Sequence, residues 1–272
     1  MKAITKNYGH CAICGKYGKL TFEHIPPKKA WNSTKANVYS LGEQLKRSEG
    51  KPSKHEIQQQ GMGRYSLCKD CNNNTGSWYA QAYIDFVHIF TYCLLNSESL
   101  EHGDALKFTT PKVQPLAFVK QIISFFCSAM PYEKVKELGF DALLLDRESS
   151  NVGKDKFDLR MFISSISTPP YSSGVAACVY VDKKTHENSV INVAEMSFYP
   201  FGFILNFDTD KTIPYGVSLM EFFNTKYEDD YKIDWIVPYL EKHSTKLPLP
   251  LQFKTMPVGA IEGEVILSKN NL

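Results

Sequence analysis

The sequence lacks a long hydrophobic run. Its longest nearly apolar stretch, "IISFFCSAM", falls well short of the roughly 18 residues of a membrane span, which excludes an integral helical membrane protein. The opening "MKAITKNYGH" has no apolar signal region, so a soluble, cytoplasmic chain without a membrane partner is expected. No internal repeat or low-complexity tract stands out, which argues against a repeat architecture. Residues 113–272 show no Gly-rich phosphate loop, no helix-turn-helix and no Ser/His/Asp arrangement, so nothing there points to nucleotide binding or to serine-hydrolase chemistry. An odd count of seven cysteines without sign of secretion excludes a disulfide framework.

With 272 residues, 43% hydrophobic and 13% aromatic, the chain is long and apolar enough for one large domain or two ordinary ones. The net charge of +2 conceals an asymmetry: residues 1–76 carry 13 Lys+Arg against 5 Asp+Glu, a net of +8, and the remainder a net of −6. A basic front suits a polyanion such as nucleic acid, although a lysine-rich solvated surface has the same composition.

"GKLTFEH" reads as a strand that Pro26-Pro27 turns out into irregular backbone, and "RYSLC" reads as a second strand. Residues 32–64 between them are polar and read as a long, mobile insertion with one short helix near "LGEQLKR". "SWYAQAYIDFVHIFTYCLLN" spaces Tyr79, Tyr83, Phe86, Phe90 and Leu94 as a broadly buried helix. Farther on, "PLAFVKQIISFFCSAM" and "YEKVKELG" read as helices. "FDLRMFISSI", "VAACVYVDKK", "SVINVAEMSFY" and "GFILNFD" read as strands, with "THEN" as a hairpin connection. The expected fold class is α+β, with a first domain over 1–96 and a second, around an antiparallel sheet, over 97–272.

Four cysteines form two Cys-x-x-Cys pairs, Cys11/Cys14 and Cys68/Cys71, with 53 residues between the pairs. Two such pairs supply the four thiolates of a closed tetrahedral zinc site, which leaves no open position for substrate and is therefore structural. His10 precedes Cys11 but four thiolates already complete the set. Cys93, Cys127 and Cys178 lie singly in apolar surroundings and read as small core residues.

The ordered combination "CAIC … EHIPP … CKDCNNNTG" resembles the zinc-stapled branch of the HNH, or His-Me finger, endonucleases over roughly residues 8–95. The resemblance implies a ββα-metal finger in which an Asp-His or Glu-His pair ends a hairpin arm and an asparagine after the last cysteine opens the following helix. His24, with an ordinary pKa near ~6.5, suits a general base toward a phosphodiester. Glu23 offers hard oxygens for Mg²⁺ or Mn²⁺. By resemblance Asn72 is the second protein ligand of that catalytic cation, and hydrolysis leaves a 5′-phosphate and a 3′-hydroxyl. Neighbouring residues on a strand face opposite ways, so joint service of Glu23 and His24 requires the strand to end or twist there.

Asn73, Asn74 and Thr75 occupy positions where some family members carry a further acidic residue or histidine; Asn73 reads as a helix N-cap, and Asn74 as either an N-cap or a third functional group. Lys28, Lys29, Arg64 and Lys69 flank the centre as candidate phosphate contacts. His55 reads as solvated in the insertion and His88 as a core or helix-packing residue. The expected activity is cleavage of nucleic acid, DNA before RNA, in a setting such as restriction or phage defence, with homodimerisation or a regulatory protein partner left to the second domain. A zinc-stabilised nucleic-acid-binding or scaffold protein that has lost catalysis is the alternative. In a third reading, the second domain covers the site until a partner releases it.

Overall fold

A strand-rich first quarter meets a large sheet through three consecutive helices. The computed structural model describes residues 7–101, 103–153, 155–164, 171–181, 188–198, 200–211, 213, 216–240 and 263–270. β1 (Tyr8–His10), β2 (Tyr17–His24) and β5 (Gly63–Cys68) make a three-stranded antiparallel sheet in the order β1-β2-β5. The insertion carries β3 (Ala36–Val38) paired with β4 (Glu56–Gln58), and α1 (Leu41–Ser48), the helix expected near "LGEQLKR". α2 (Lys69–Trp78) and α3 (Ala80–Leu95) follow; the single helix expected from Ser77 is thus two, interrupted at Tyr79.

The second part contains β6 (Ala105–Val113), α4 (Pro115–Ala129), α5 (Tyr132–Glu137), α6 (Phe140–Leu145), β7 (Asp158–Ser164), β8 (Tyr171–Val181), β9 (Asn188–Phe198), β10 (Phe201–Asn206), β11 (Val217–Ser218), β12 (Tyr231–Leu240) and β13 (Glu264–Lys269). The large sheet runs β13-β12-β7-β10-β9-β8, with β6 on β12 and β11 on β7. Its pairings are antiparallel except β12 with β7, which is parallel through Tyr239–Ile163 and Leu240–Ser164. The sheet expected to be antiparallel is therefore mixed, within a mixed α+β fold. The connection expected at "THEN" falls largely on residues 182–187, outside the described residues.

α4 is the axis of the core: every residue from Pro115 to Ser128 is buried, as a helix apolar on nearly all sides must be. α3 lies against it through Phe86–Phe118 (4.5 Å between ring centroids) and Tyr83–Phe125 (5.1 Å), and reaches the large sheet through Phe90–Phe201 (4.3 Å) and Phe86–Trp235 (4.9 Å). The apolar core runs without a break from Cys11 to Val237. The boundary expected after residue 96 consequently cuts between a helix and the sheet it packs on. Lys120, fully buried, donates to the carbonyls of Asp146 and Arg147 at 2.8 Å each and lies over the Tyr79 ring, so α4 also caps the end of α6. Among the described residues no helix is long and apolar enough to cross a membrane.

Candidate functional site

β1 and β2 are joined by a tight knuckle in which Cys11 N–H donates to Lys16 O and Gly15 N–H to Cys11 O. Gly15 has φ +70°, and a Cβ there would stand 2.4 Å from the Tyr132 ring, so the turn depends on glycine. The knuckle presents Cys11 and Cys14. The end of β5 presents Cys68, and the first turn of α2 presents Cys71. The four Sγ atoms lie within 4.8 Å of one another, with Cys14 and Cys68 3.8 Å apart. Zn–S bonds of about 2.3 Å in a tetrahedron require S···S edges of about 3.8 Å, so the cluster is compatible with one zinc ion. Four thiols this close cannot all ionise alone: the hydrogen bond from Cys71 holds the Cys11 thiol down, and Cys11 in turn pushes Cys71 up. A divalent cation removes that conflict. His10 stays outside the cluster and meets Gly15 O through Nδ1 at 3.0 Å.

Two of the four clustered cysteines mark where α2 begins. The helix starts at Lys69 with Cys68 as its N-cap, so Asn72 lies in its first turn and Asn73 and Asn74 lie inside it. The N-cap reading of Asn73 and Asn74 is corrected: the cap position falls earlier, on Cys68 of the sulfur cluster. Asn73 is exposed, Asn74 accepts from Ser77 through its backbone carbonyl, and buried Thr75 donates back to Cys71 O at 2.9 Å.

A short hydrogen-bonded chain sets the orientation of Asn72. Thr21 Oγ1 donates its proton to Leu67 O, so it accepts from Asn72 Nδ2 at 2.9 Å, and the same Nδ2 donates to Phe22 O at 3.1 Å. Both partners demand the nitrogen, which turns Oδ1 away from β2 as an acceptor. That is the atom a hydrated cation would use.

His24 ends β2 just before the Ile25-Pro26 peptide, which is cis. Its Nε2 lies 3.2 Å from Gln60 O. A carbonyl only accepts, so Nε2 carries the hydrogen and Nδ1 the lone pair of a neutral ring. Partial burial lowers the imidazole pKa, with the Lys28 ammonium acting in the same direction, against the pull of Gln60 O. The ring is thereby kept neutral and able to take a proton near pH 7. Lys28 also donates to Gln60 Oε1 at 3.0 Å.

Glu23 goes elsewhere. β5 has one residue more than β2 at the position of Ser66, between the pairs Thr21–Leu67 and Phe22–Tyr65. This bulge turns Ser66 inward. The Glu23 carboxylate, on a residue only 5% exposed, accepts from Ser66 at 3.2 Å, Ser128 at 2.5 Å and Ser124 at 3.4 Å, the last two from α4. Burial pushes its pKa up to about 7, although the three hydroxyls pull it down. The structure does not bring the Glu23 and His24 side chains together: strand alternation sends the carboxylate under the sheet toward α4, while His24 shares the opposite side with Phe22, its ring 5.0 Å away. Asn72 meets β2 at the Thr21 hydroxyl and the Phe22 carbonyl, two residues and one residue before Glu23.

A residue that sequence reasoning missed holds the loop after His24. Buried Asn32 donates to Pro26 O and to Met62 O, both at 2.7 Å, and accepts from Met62 N–H at 2.6 Å. It ties residues 26–32 to the start of β5 beside Gln60. Its only sequence signal is an asparagine between Trp31 and Ser33 in a proline-bounded loop. Gly61, at φ +97°, makes the contact fit: a Cβ there would stand 1.9 Å from Asn32 O. Gly61→Ala is expected to destabilise the protein by about 3 kcal/mol or more, through backbone strain plus displacement of the Asn32 clasp, as urea denaturation would measure.

Lys28, Lys29, Arg64 and Lys69 are all exposed. His88 is not a packing residue in the core. It stands on the exposed face of α3, meets Lys29 O through Nε2 at 2.9 Å and contacts the ring of Trp31, itself in the left-handed region at φ 63°. His55 contacts Tyr39 within the insertion. Cys127 is buried and Cys93 half-buried, as expected of core residues, while Cys178 falls in β8, of which only the backbone is described. Against protein-family models, curated proteins and solved structures, the chain gives no match.

Proposed function

We propose that residues 8–95 form a zinc-stapled ββα-metal unit of the HNH kind, and that the protein is a metal-dependent endonuclease acting on nucleic-acid phosphodiesters. The observation that carries this reading is the placement of Asn72. The sulfur cluster fixes the first turn of α2, and the Thr21 chain aims the Asn72 carbonyl oxygen away from β2. In this reading Asn72 is a protein ligand of a Mg²⁺ or Mn²⁺ whose other positions are waters and phosphate oxygens. His24 Nδ1 accepts the proton of the attacking water, while Gln60 O holds the ring through Nε2. Lys28, Lys29, Arg64 and Lys69 bind phosphates, and DNA is the first substrate to try.

Cleavage of supercoiled plasmid with Mg²⁺ or Mn²⁺ tests it. His24→Ala is expected to lose about 100-fold or more in rate. The wild-type rate should fall in acid with a midpoint below the ordinary histidine value, because the lowered pKa leaves Nδ1 unprotonated down to that point. Equal cleavage by wild type and His24→Ala would refute the assigned base.

The burial of Glu23 favours a second reading, a zinc-stabilised nucleic-acid-binding protein without turnover, since it withdraws a carboxylate from the cation. That reading predicts salt-sensitive binding with no strand scission under any divalent metal.

A further inference from the structure

On the side of β2 that carries His24, three rings stand in a row. Phe22 packs edge-on against His24 at 5.0 Å and edge-on against Tyr65 of β5 at 5.4 Å. None of the three belongs to the hydrophobic core or to the half-buried residues packed on it. Tyr65 is 46% exposed. Gly63 lets the row form: the Phe22 ring lies 2.8 Å from where a Gly63 Cβ would stand. Phe22 and Tyr65 are a cross-strand pair that steadies the hairpin, and Tyr65 keeps nearly half of its surface exposed beyond that contact. Lys28 lies across Gln60 from His24, within a segment of net charge +8.

We propose that this row is a stacking platform for unpaired bases, so that the preferred ligand is single-stranded nucleic acid, with Tyr65 the outer stacking residue and Phe22 between it and His24. The inference rests on the endonuclease reading for the role of His24, but the platform itself does not need turnover. A base inside a duplex has both faces covered by its neighbours and cannot offer one to Tyr65 without unstacking, whereas an unpaired base can. Lys28 supplies an accompanying phosphate contact. Single-stranded DNA and RNA share this chemistry.

The test is fluorescence anisotropy, without added divalent metal, using labelled oligothymidine and oligouridine of about 12 nucleotides and a DNA duplex of the same length at one salt concentration. The expected result is tighter binding of the single strands than of the duplex. Tyr65→Ala and Tyr65→Leu should each weaken single-strand binding by about tenfold, the loss of one stacked base, and leave duplex binding unchanged. Tyr65→Phe should bind as wild type, and so should Tyr92→Ala, which removes another exposed tyrosine, from α3. Tyr65→Leu keeps a bulky apolar side chain on the strand, so its loss of binding with unchanged zinc content and circular dichroism separates stacking from folding. The relative affinity of the two single strands tells DNA from RNA. Duplex binding as tight as single-strand binding, or wild-type affinity in Tyr65→Leu, overturns the platform. Absence of cleavage with the platform intact overturns only the endonuclease reading.

Discussion

Removal of the metal, by a chelator or by Cys71→Ser, is expected to unfold the first quarter of the chain. The knuckle, the end of β5 and the first turn of α2 come from segments separated by the whole insertion, and the four thiols are the point where they meet. A structural zinc contributes on the order of 10 kcal/mol to the fold that holds it. Without it Cys71 keeps its proton, and Cys11 and Cys71 are left buried without a cation. Metal analysis should find about one zinc per wild-type chain and none in the variant. Hydrogen exchange should show lost protection in β1, β2, β5 and α2, with the core of α4 and the large sheet retained. Full zinc content and unchanged protection in Cys71→Ser would show that the thiols do not hold a metal.

Glu23→Gln is expected to change how stability depends on pH. The carboxyl pKa rises from 4.5 to about 7 on folding, chiefly through burial. Between those values the native state holds a proton that the unfolded state has released, so wild-type stability falls as pH rises across this window and levels off above it. The accumulated cost is about 3 kcal/mol. Glutamine fits the same three serines without titrating, so the variant should gain on wild type by about that amount between pH 4.5 and 8, read by urea denaturation. Glu23→Leu should instead lose about 2 kcal/mol at about pH 5, where three hydroxyls lose their acceptor. The same Glu23→Gln protein decides the residue's place in the chemistry. Cleavage at the wild-type rate fits a carboxyl committed to Ser66, Ser124 and Ser128, and abolished cleavage would mean that Glu23 leaves them to reach a cation.

Much of the local structure was legible because its causes are local. Alternation and the proline exit mark β2, the apolar run marks α4, and the repeated Cys-x-x-Cys spacing marks the sulfur cluster. β6, β12 and β13 went unread, since the membership of β6 and β12 rests on partners more than a hundred residues away, as in the pairing of Phe108 with Trp235, and β13 joins the sheet only through β12. The start of α2 was misplaced because asparagine favours caps in general, whereas here the helix opens at Cys68, within the sulfur cluster.

Chemistry along the chain thus determined which groups this protein has to work with: four thiols in two pairs, an imidazole at a strand end, a carboxamide beside the last thiol and a basic front. The tertiary structure decided where they point. An extra residue at Ser66 and the serines of α4, both remote from Glu23 in sequence, give its carboxylate partners inside the core. Register and packing are sums over distant neighbours, and for that reason a reading of adjacent residues gave Glu23 and His24 one site where the fold gives them two sides of a sheet.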